Sequence, residues 1–230
     1  MPNIFALRKV IPTRLTSSST GGEPLVSTLD GALFTQDWYA GRIIEGRGYH
    51  VSIGAVSTPI QGGGAGTVFD AEQSEGVLSI PSGTTIIPFR IHVQTQAPLI
   101  AADNDETEIL IAVDRTAVST ASGSTGTAET IFNLRTDLGS TGSLVTAISA
   151  NTSDHNTPTL GIELAGMHAN ADVQGTAATA LWNRFDLLYE PKVPPMIAGP
   201  AALYIYWFGT VATTGFAQVQ WIEIPTPPTS

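Results

Sequence analysis

Leu203-Tyr204-Ile205-Tyr206-Trp207-Phe208, followed after residues 209–215 by Phe216-Ala217-Gln218-Val219-Gln220-Trp221-Ile222-Glu223-Ile224, decides the fold class of this 230-residue chain. Successive side chains of a β-strand point to opposite faces. In the first arm, Leu203, Ile205 and Trp207 therefore point one way and Tyr204, Tyr206 and Phe208 the other, and both sets are apolar or aromatic. In the second arm, Phe216, Gln218, Gln220 and Ile222 share one face, while Ala217, Val219, Trp221 and Glu223 share the other. A sheet face that meets water does not carry Tyr, Tyr and Phe in a row. The outer side of the first arm is expected to lie under another sheet, a loop or a neighbouring subunit, with subunit contact the economical reading. Taken together, the two arms read as a hairpin that closes the chain.

Working outward, strand-like runs recur at 49–56, 76–80, 84–95, 107–116, 129–136, 144–150, 159–165 and 184–190. They are rich in Val, Ile, Thr, Phe and Tyr, and Gly, Ser, Asn, Asp and Pro stand between them. Helix signals are weak: two turns at 176–182 and one turn at 70–76. Many strands with almost no amphipathic helix belong to sandwiches, jelly rolls and barrels rather than α/β folds. About eight core strands, long irregular connections at 61–71 and 191–202, and the closing hairpin favour an all-β, antiparallel β-sandwich built as a single jelly roll. An immunoglobulin-like or other Greek-key sandwich fits the same periodicity, because periodicity does not give strand order.

Residues 1–22 read as an extended N-terminal arm with a spacer, and 23–230 as one jelly-roll-like domain. The arm sets Arg8, Lys9 and Arg14 among Ile4, Phe5, Leu7, Val10 and Ile11, and its apolar run is too short and too interrupted for a signal peptide. Residues 16–22, Thr-Ser-Ser-Ser-Thr-Gly-Gly, are a flexible linker by composition. No stretch of the sequence approaches membrane-spanning length.

A hydrophobic content of 42% supports a substantial core, while 13% charged residues leave Ser, Thr, Asn, Gln and Gly to supply the polar surface. Such a surface suits packed assemblies. The formal charge of −10, from 20 acidic and 10 basic residues, argues against electrostatic capture of nucleic acid, which needs clustered Lys and Arg to displace counterions. With no Cys, disulfides and thiolate zinc sites are excluded together, and stability must come from packing and association.

The motifs that could carry chemistry each lack a required part. Gln61-Gly62-Gly63-Gly64-Ala65-Gly66 has neither the Lys and Ser/Thr of a P-loop nor the dinucleotide spacing, and reads as a surface loop. Asp103-Asn104-Asp105-Glu106-Thr107-Glu108 begins like a calcium loop, but Glu108 stands where the turn glycine belongs, so a solvated turn before a strand is expected. His50, His92, His155 and His168 fall in no metal spacing, and structural hydrogen-bonded roles are expected for them. No serine sits in Gly-x-Ser-x-Gly, and carboxylate pairs can be chosen at will, so no catalytic role is expected. Asn151-Thr152-Ser153 matches a glycosylation sequon and reads as a turn.

The short arm with Arg8, Lys9 and Arg14, the Ser/Thr/Gly spacer, the all-β body with few lysines and the ending Trp221-Ile222-Glu223-Ile224-Pro225 together resemble a known class of protein. The chain is similar to the single jelly-roll capsid (shell) proteins of icosahedral viruses, bacteriophages included. This resemblance lies in architecture over most of the chain rather than in a motif. It implies a virion location, copies of the chain itself and other virion proteins as partners, an arm that runs along neighbouring subunits, and neither catalysis nor cofactor. The subunit-interface residues expected on this basis are Arg8, Lys9, Arg14, Tyr204, Tyr206 and Phe208. Genome-binding arms in such shells are strongly basic, whereas this one has three positive residues, so strong direct nucleic-acid binding is not expected. A shell lined by a membrane, or a decoration, spike or receptor- and glycan-binding head module, is the alternative.

Overall fold

The structure, a computed structural model, describes residues 38–62, 69–99, 105–116, 126–140, 142–149, 157–171, 181–209 and 213–226. The chain divides into two compact units, Met1–Gly41 and Arg42–Ser230. The first is described over residues 38–41, which open a short helix, α1 (Trp38–Ile44). Within it the rings of Trp38 and Tyr39 meet edge to face at 5.2 Å. Sequence reasoning did not foresee α1, because Gly41 and the β-branched Ile43 and Ile44 all lower helix propensity. The expected arm, its boundary at 22/23, and Arg8, Lys9 and Arg14 lie outside the described residues.

The second unit is built of antiparallel strands: β1 (Gly48–Ile53), β2 (Ile60–Gln61), β3 (Gly76–Ile80), β4 (Thr84–Leu99), β5 (Asp105–Asp114), β6 (Thr127–Glu129), β7 (Phe132–Asn133), β8 (Thr146–Ser149), β9 (Ile162–Ala171), β10 (Leu181–Tyr189), β11 (Ile197–Ala198), β12 (Ala201–Gly209) and β13 (Thr214–Pro225). One sheet runs β10-β4-β13-β1-β7, with β11 on β4 and β2 on β13, and the other runs β6-β8-β3-β12-β5-β9. Both contribute to one core, in which Val51, Ile91, Val93, Val219 and Trp221 of the first sheet join Leu78, Ile111, Leu203, Ile205 and Trp207 of the second. The result is an antiparallel β-sandwich, as the strand count predicts. No helix among the described residues is long and apolar enough to cross a membrane.

The closing hairpin does not form. β12 is paired with β3 and β5 in one sheet, while β13 is paired with β1, β2 and β4 in the other. The two arms face each other across the core: a Cβ on Gly215 would stand 3.3 Å from the indole of Trp207. The physical reason is visible in the patterning. An arm apolar on both faces belongs in a strand covered on both sides, and β13, with Gln218 and Gln220 outward, covers its other face with water. The weak helix signal at 176–182 also fails in part, since Leu181 and Trp182 begin β10 and 176–180 lie outside the described residues. Of the helical turn expected at 70–76 the structure has only a hydrogen-bonded turn at 70–73, with the amide of Gln73 donating to the Asp70 carbonyl at 3.2 Å, and Gly76 already opens β3.

A register shift aims the ends of the central strands. Gln220 pairs with Arg90 but Trp221 pairs with Pro88, so Phe89 is an extra residue on β4. Proline is tolerated at such a bulge because no ladder donor is needed there. Beyond it, Ile222 lies fully buried although it shares a face with Gln218 and Gln220. It pairs with Gly48, where a Cβ would meet the side chains of Ile43 and Leu134, so the polar face of the sheet is covered at this end.

Candidate functional site

The expected faces of β12 are correct, and they separate two layers. Leu203, Ile205 and Trp207 enter the core between the sheets, while Val77, Ala202, Tyr204 and Tyr206 form a second buried cluster with Leu110, Leu160 and Phe208. The rings of Tyr204 and Tyr206 stack at 5.9 Å with 15° between their planes. Phe69 closes this layer, meeting Tyr206 at 5.2 Å and Phe208 at 4.9 Å.

Of the three covers that the sequence left open for this face, the structure supplies a loop of the same chain. Residues 69–75 lie over β12 and are fixed there by hydrogen bonds. The Tyr206 hydroxyl donates to the Ala71 carbonyl at 2.9 Å, and the Trp207 amide donates to a Glu75 carboxylate oxygen at 2.8 Å. Within the loop the amide of Glu72 donates to Asp70 at 2.8 Å, and the Thr157 hydroxyl donates to Glu72. Tyr204 and Tyr206 are each 1% exposed, so they leave water without any neighbouring subunit. The part of the aromatic layer that reaches the surface is Phe69, 37% exposed, beside the partly buried Phe208.

Burial sets the electrostatics of this layer. Desolvation pushes the Tyr206 phenol well above its ordinary range, with Tyr204, Glu75, Asp70 and Asp114 adding to the effect. The Tyr204 phenol is pushed up by desolvation first and by Asp114 second. Asp114, itself buried at the end of β5, accepts hydrogen bonds from the amide and hydroxyl of Thr116 at 2.6 and 2.7 Å and from the Thr159 amide at 3.0 Å. With these bonds satisfied, the carboxylate ties the 157–160 segment to β5.

The other sheet offers a polar outer face. Its cross-strand rows are Leu188, His92, Gln218 and Ser52, then Asp186, Gln94 and Phe216, then Arg90, Gln220, His50 and Phe132. Asp186 contacts His92 and accepts from Gln94 at 3.0 Å, and the Gln94 bond, ahead of His92, holds its carboxyl below the usual range. His50 is pushed down by burial. On β9, His168 pairs with Glu108 at 2.7 Å, directly across the strand register. His50, His92 and His168 thus stand in strands, and His92 and His168 hold carboxylate partners; His155 lies outside the described residues.

The expected metal and loop motifs resolve unevenly. Asp103 and Asn104 lie outside the described residues, Asp105 begins β5, and among the described residues no group of three or more His, Cys, Asp or Glu could hold a metal ion. Gly62 is buried rather than exposed: its amide donates to the Thr213 carbonyl at 2.8 Å, and a Cβ there would fall 1.8 Å from the Trp207 carbonyl oxygen. Residues 63–66 and the 151–153 sequon lie outside the described residues.

Two buried carboxylates were not singled out by the sequence reading. Glu75 has no periodic signal, since it sits just before β3. Glu223 did carry one, because it shares the inward face of β13 with Ala217, Val219 and Trp221, and a carboxylate on a core face requires partners. They are Ser143, whose hydroxyl donates at 2.9 Å, and Leu144, whose amide donates at 3.0 Å. No protein-family model and no curated protein matches this chain.

Proposed function

We propose that the chain is a capsid subunit of a virion, folded as a single jelly roll, that assembles with copies of itself and other virion proteins and performs no catalysis. The observation that carries this reading is strand order. If β1, β3, β4, β5, β9, β10, β12 and β13 are numbered one to eight, one sheet runs 6-3-8-1 and the other 2-7-4-5. That interleaving, with every late strand placed beside an early one, is what two nested Greek keys produce, and jelly rolls of this kind serve as shell domains.

In this reading the β-sandwich is a rigid block. Its contacts are made by the N-terminal arm with Arg8, Lys9 and Arg14, and by Phe208 together with Phe69, where the aromatic layer reaches the surface. Tyr204 and Tyr206 support that patch from beneath.

Electron microscopy and light scattering of the purified chain test the proposal. Closed particles or large uniform oligomers are expected, and deletion of residues 1–22 should leave a folded monomer that no longer assembles. A chain that stays monomeric at high concentration, or a truncated one that assembles normally, would overturn the subunit reading.

A further inference from the structure

A cleft of about 320 Å³ opens beside the start of β1 and the end of β13, lined by none of the aromatic layer and reaching the core at Tyr49. Its polar lining is Arg47, Tyr49, Thr84 and Glu223, and its apolar rim is Leu144, Ile224 and Pro225. The backbone holds these groups together: the Glu223 amide donates to the Arg47 carbonyl at 2.9 Å, and Tyr49 pairs with Trp221 in the β1–β13 register.

The groups at its base are few and convergent. Glu223 is 7% exposed and accepts one hydrogen bond at each oxygen, from Ser143 and Leu144, where a carboxylate offers about four acceptor positions. Burial, then the Glu223 charge, raises the Tyr49 phenol, while Arg47 and Asn133 oppose the shift; the hydroxyl is therefore a proton-bearing donor and acceptor at neutral pH. Arg47 is partly exposed, with Glu45 at 3.7 Å. Gly142, at φ +102°, keeps the approach open, since a Cβ there would stand 3.1 Å from the Tyr49 hydroxyl.

We propose that this cleft is a binding site for a neutral, polyhydroxylated ligand of the size of one sugar ring. Charge decides the class. An anion would meet the buried Glu223 on a chain of net charge −10, and a cation would lie against Arg47. An apolar ligand would strip water from the carboxylate and the phenol without replacing their hydrogen bonds. A ring bearing several hydroxyls can donate to Glu223, accept from Arg47 and do both with Tyr49, while its C–H surface lies on Leu144, a side chain otherwise 65% exposed. The volume is at the lower end of the roughly 300–1,000 Å³ common for ligand clefts, which fits one ring better than a chain.

Saturation-transfer NMR on the full chain, with the methyl glycosides of glucose, galactose, mannose and N-acetylglucosamine and with a sialoside as anionic control, tests the site. At least one neutral glycoside should receive saturation, with the sialoside silent. Arg47→Met, at a partly exposed position, and Tyr49→Phe, which keeps the buried ring, should each weaken binding about tenfold without loss of the folded state. Silence of all four neutral glycosides, preference for the sialoside, or binding untouched by both substitutions would overturn the proposal. Sugar binding and self-assembly are read separately, so the failure of one leaves the other standing.

Discussion

The backbone amide of Trp207 donates to the carboxylate of Glu75 at 2.8 Å, at a site where Glu75 is 2% exposed and Trp207 fully buried. The β3–β12 ladder ends one pair earlier, at Gly76 and Ile205. The Glu75 side chain therefore continues the ladder where backbone pairing stops, and in doing so anchors the loop that covers the aromatic layer. Glu75→Ala should cost about 1–3 kcal/mol, because it leaves a buried amide without this acceptor. Glu75→Gln, which keeps an acceptor oxygen, should cost less. Urea unfolding of the two variants, compared at matched m-values, checks the order.

Tyr206 distinguishes a cover made by the chain from one made by a neighbour. Because its ring is buried within the single chain, Tyr206→Asp should unfold or strongly destabilise the monomer, through a buried charge with no partner. Tyr206→Phe removes the bond to the Ala71 carbonyl and should cost about 1 kcal/mol. Trp207→Ala, on the opposite face, should cost about 3–5 kcal/mol. A monomer of Tyr206→Asp with unchanged thermal stability would show that the 69–75 loop does not cover this face in solution.

The contrast between these two residues also marks how far the sequence was legible. Strict alternation in β12 assigned Trp207 and Tyr206 to opposite faces, and the strand-like run read at 76–80 coincides with β3. Alternation carries no information about which sheet the next strand joins, so β12 and β13 read as a hairpin although they lie in different sheets. The cover over Tyr206 comes from Phe69 and Ala71, more than a hundred residues earlier, and no local pattern announces it. Glu223 was placed on the inward face of the second arm but not singled out there, and its partners Ser143 and Leu144 required the fold.

High pH should unfold this protein in a defined window. Of its five tyrosines, Tyr49, Tyr189, Tyr204 and Tyr206 all have phenols raised by burial. Below pH 10 both folded and unfolded chains keep these protons, and stability is unaffected. Above it the unfolded chain releases protons that the folded chain retains, so stability falls as pH rises, by up to about 1.4 kcal/mol per pH unit for each such group. Phenolate absorbance should therefore emerge late and together with loss of the β-sheet circular dichroism signal. Gradual, non-cooperative titration of four phenols near pH 10 would contradict the burial.

Two glycines separate lack of space from backbone conformation. A Cβ on Gly62 would meet the Trp207 carbonyl carbon at 2.8 Å and its oxygen closer still, and backbone cannot rotate away. Gly62→Ala should displace the start of the loop from β12 and cost several kcal/mol, roughly the range of severe core defects. Gly83, at φ +82°, has nothing within 4 Å of a Cβ, so Gly83→Ala should cost about 1–2 kcal/mol from left-handed strain alone. Thermal unfolding midpoints of the two variants check the ranking.

Nucleic-acid affinity tests the arm against the charge of the whole chain. Arg8, Lys9 and Arg14 are three of the ten basic residues, and no acidic residue stands among the first fifteen. The remainder therefore holds seven basic and 20 acidic residues, a formal charge of −13 against +3 for the arm. A single arm that placed all three cations on phosphates would release about three counterions, giving a log–log salt slope of roughly −2.7 on duplex DNA, while the acidic remainder opposes approach. Binding should thus be weak at physiological salt and no steeper than that slope. Filter-binding or fluorescence titrations across a salt series measure both quantities. A tight complex with a much steeper slope would require several arms to converge on one stretch of nucleic acid, placing direct genome contact within the assembly.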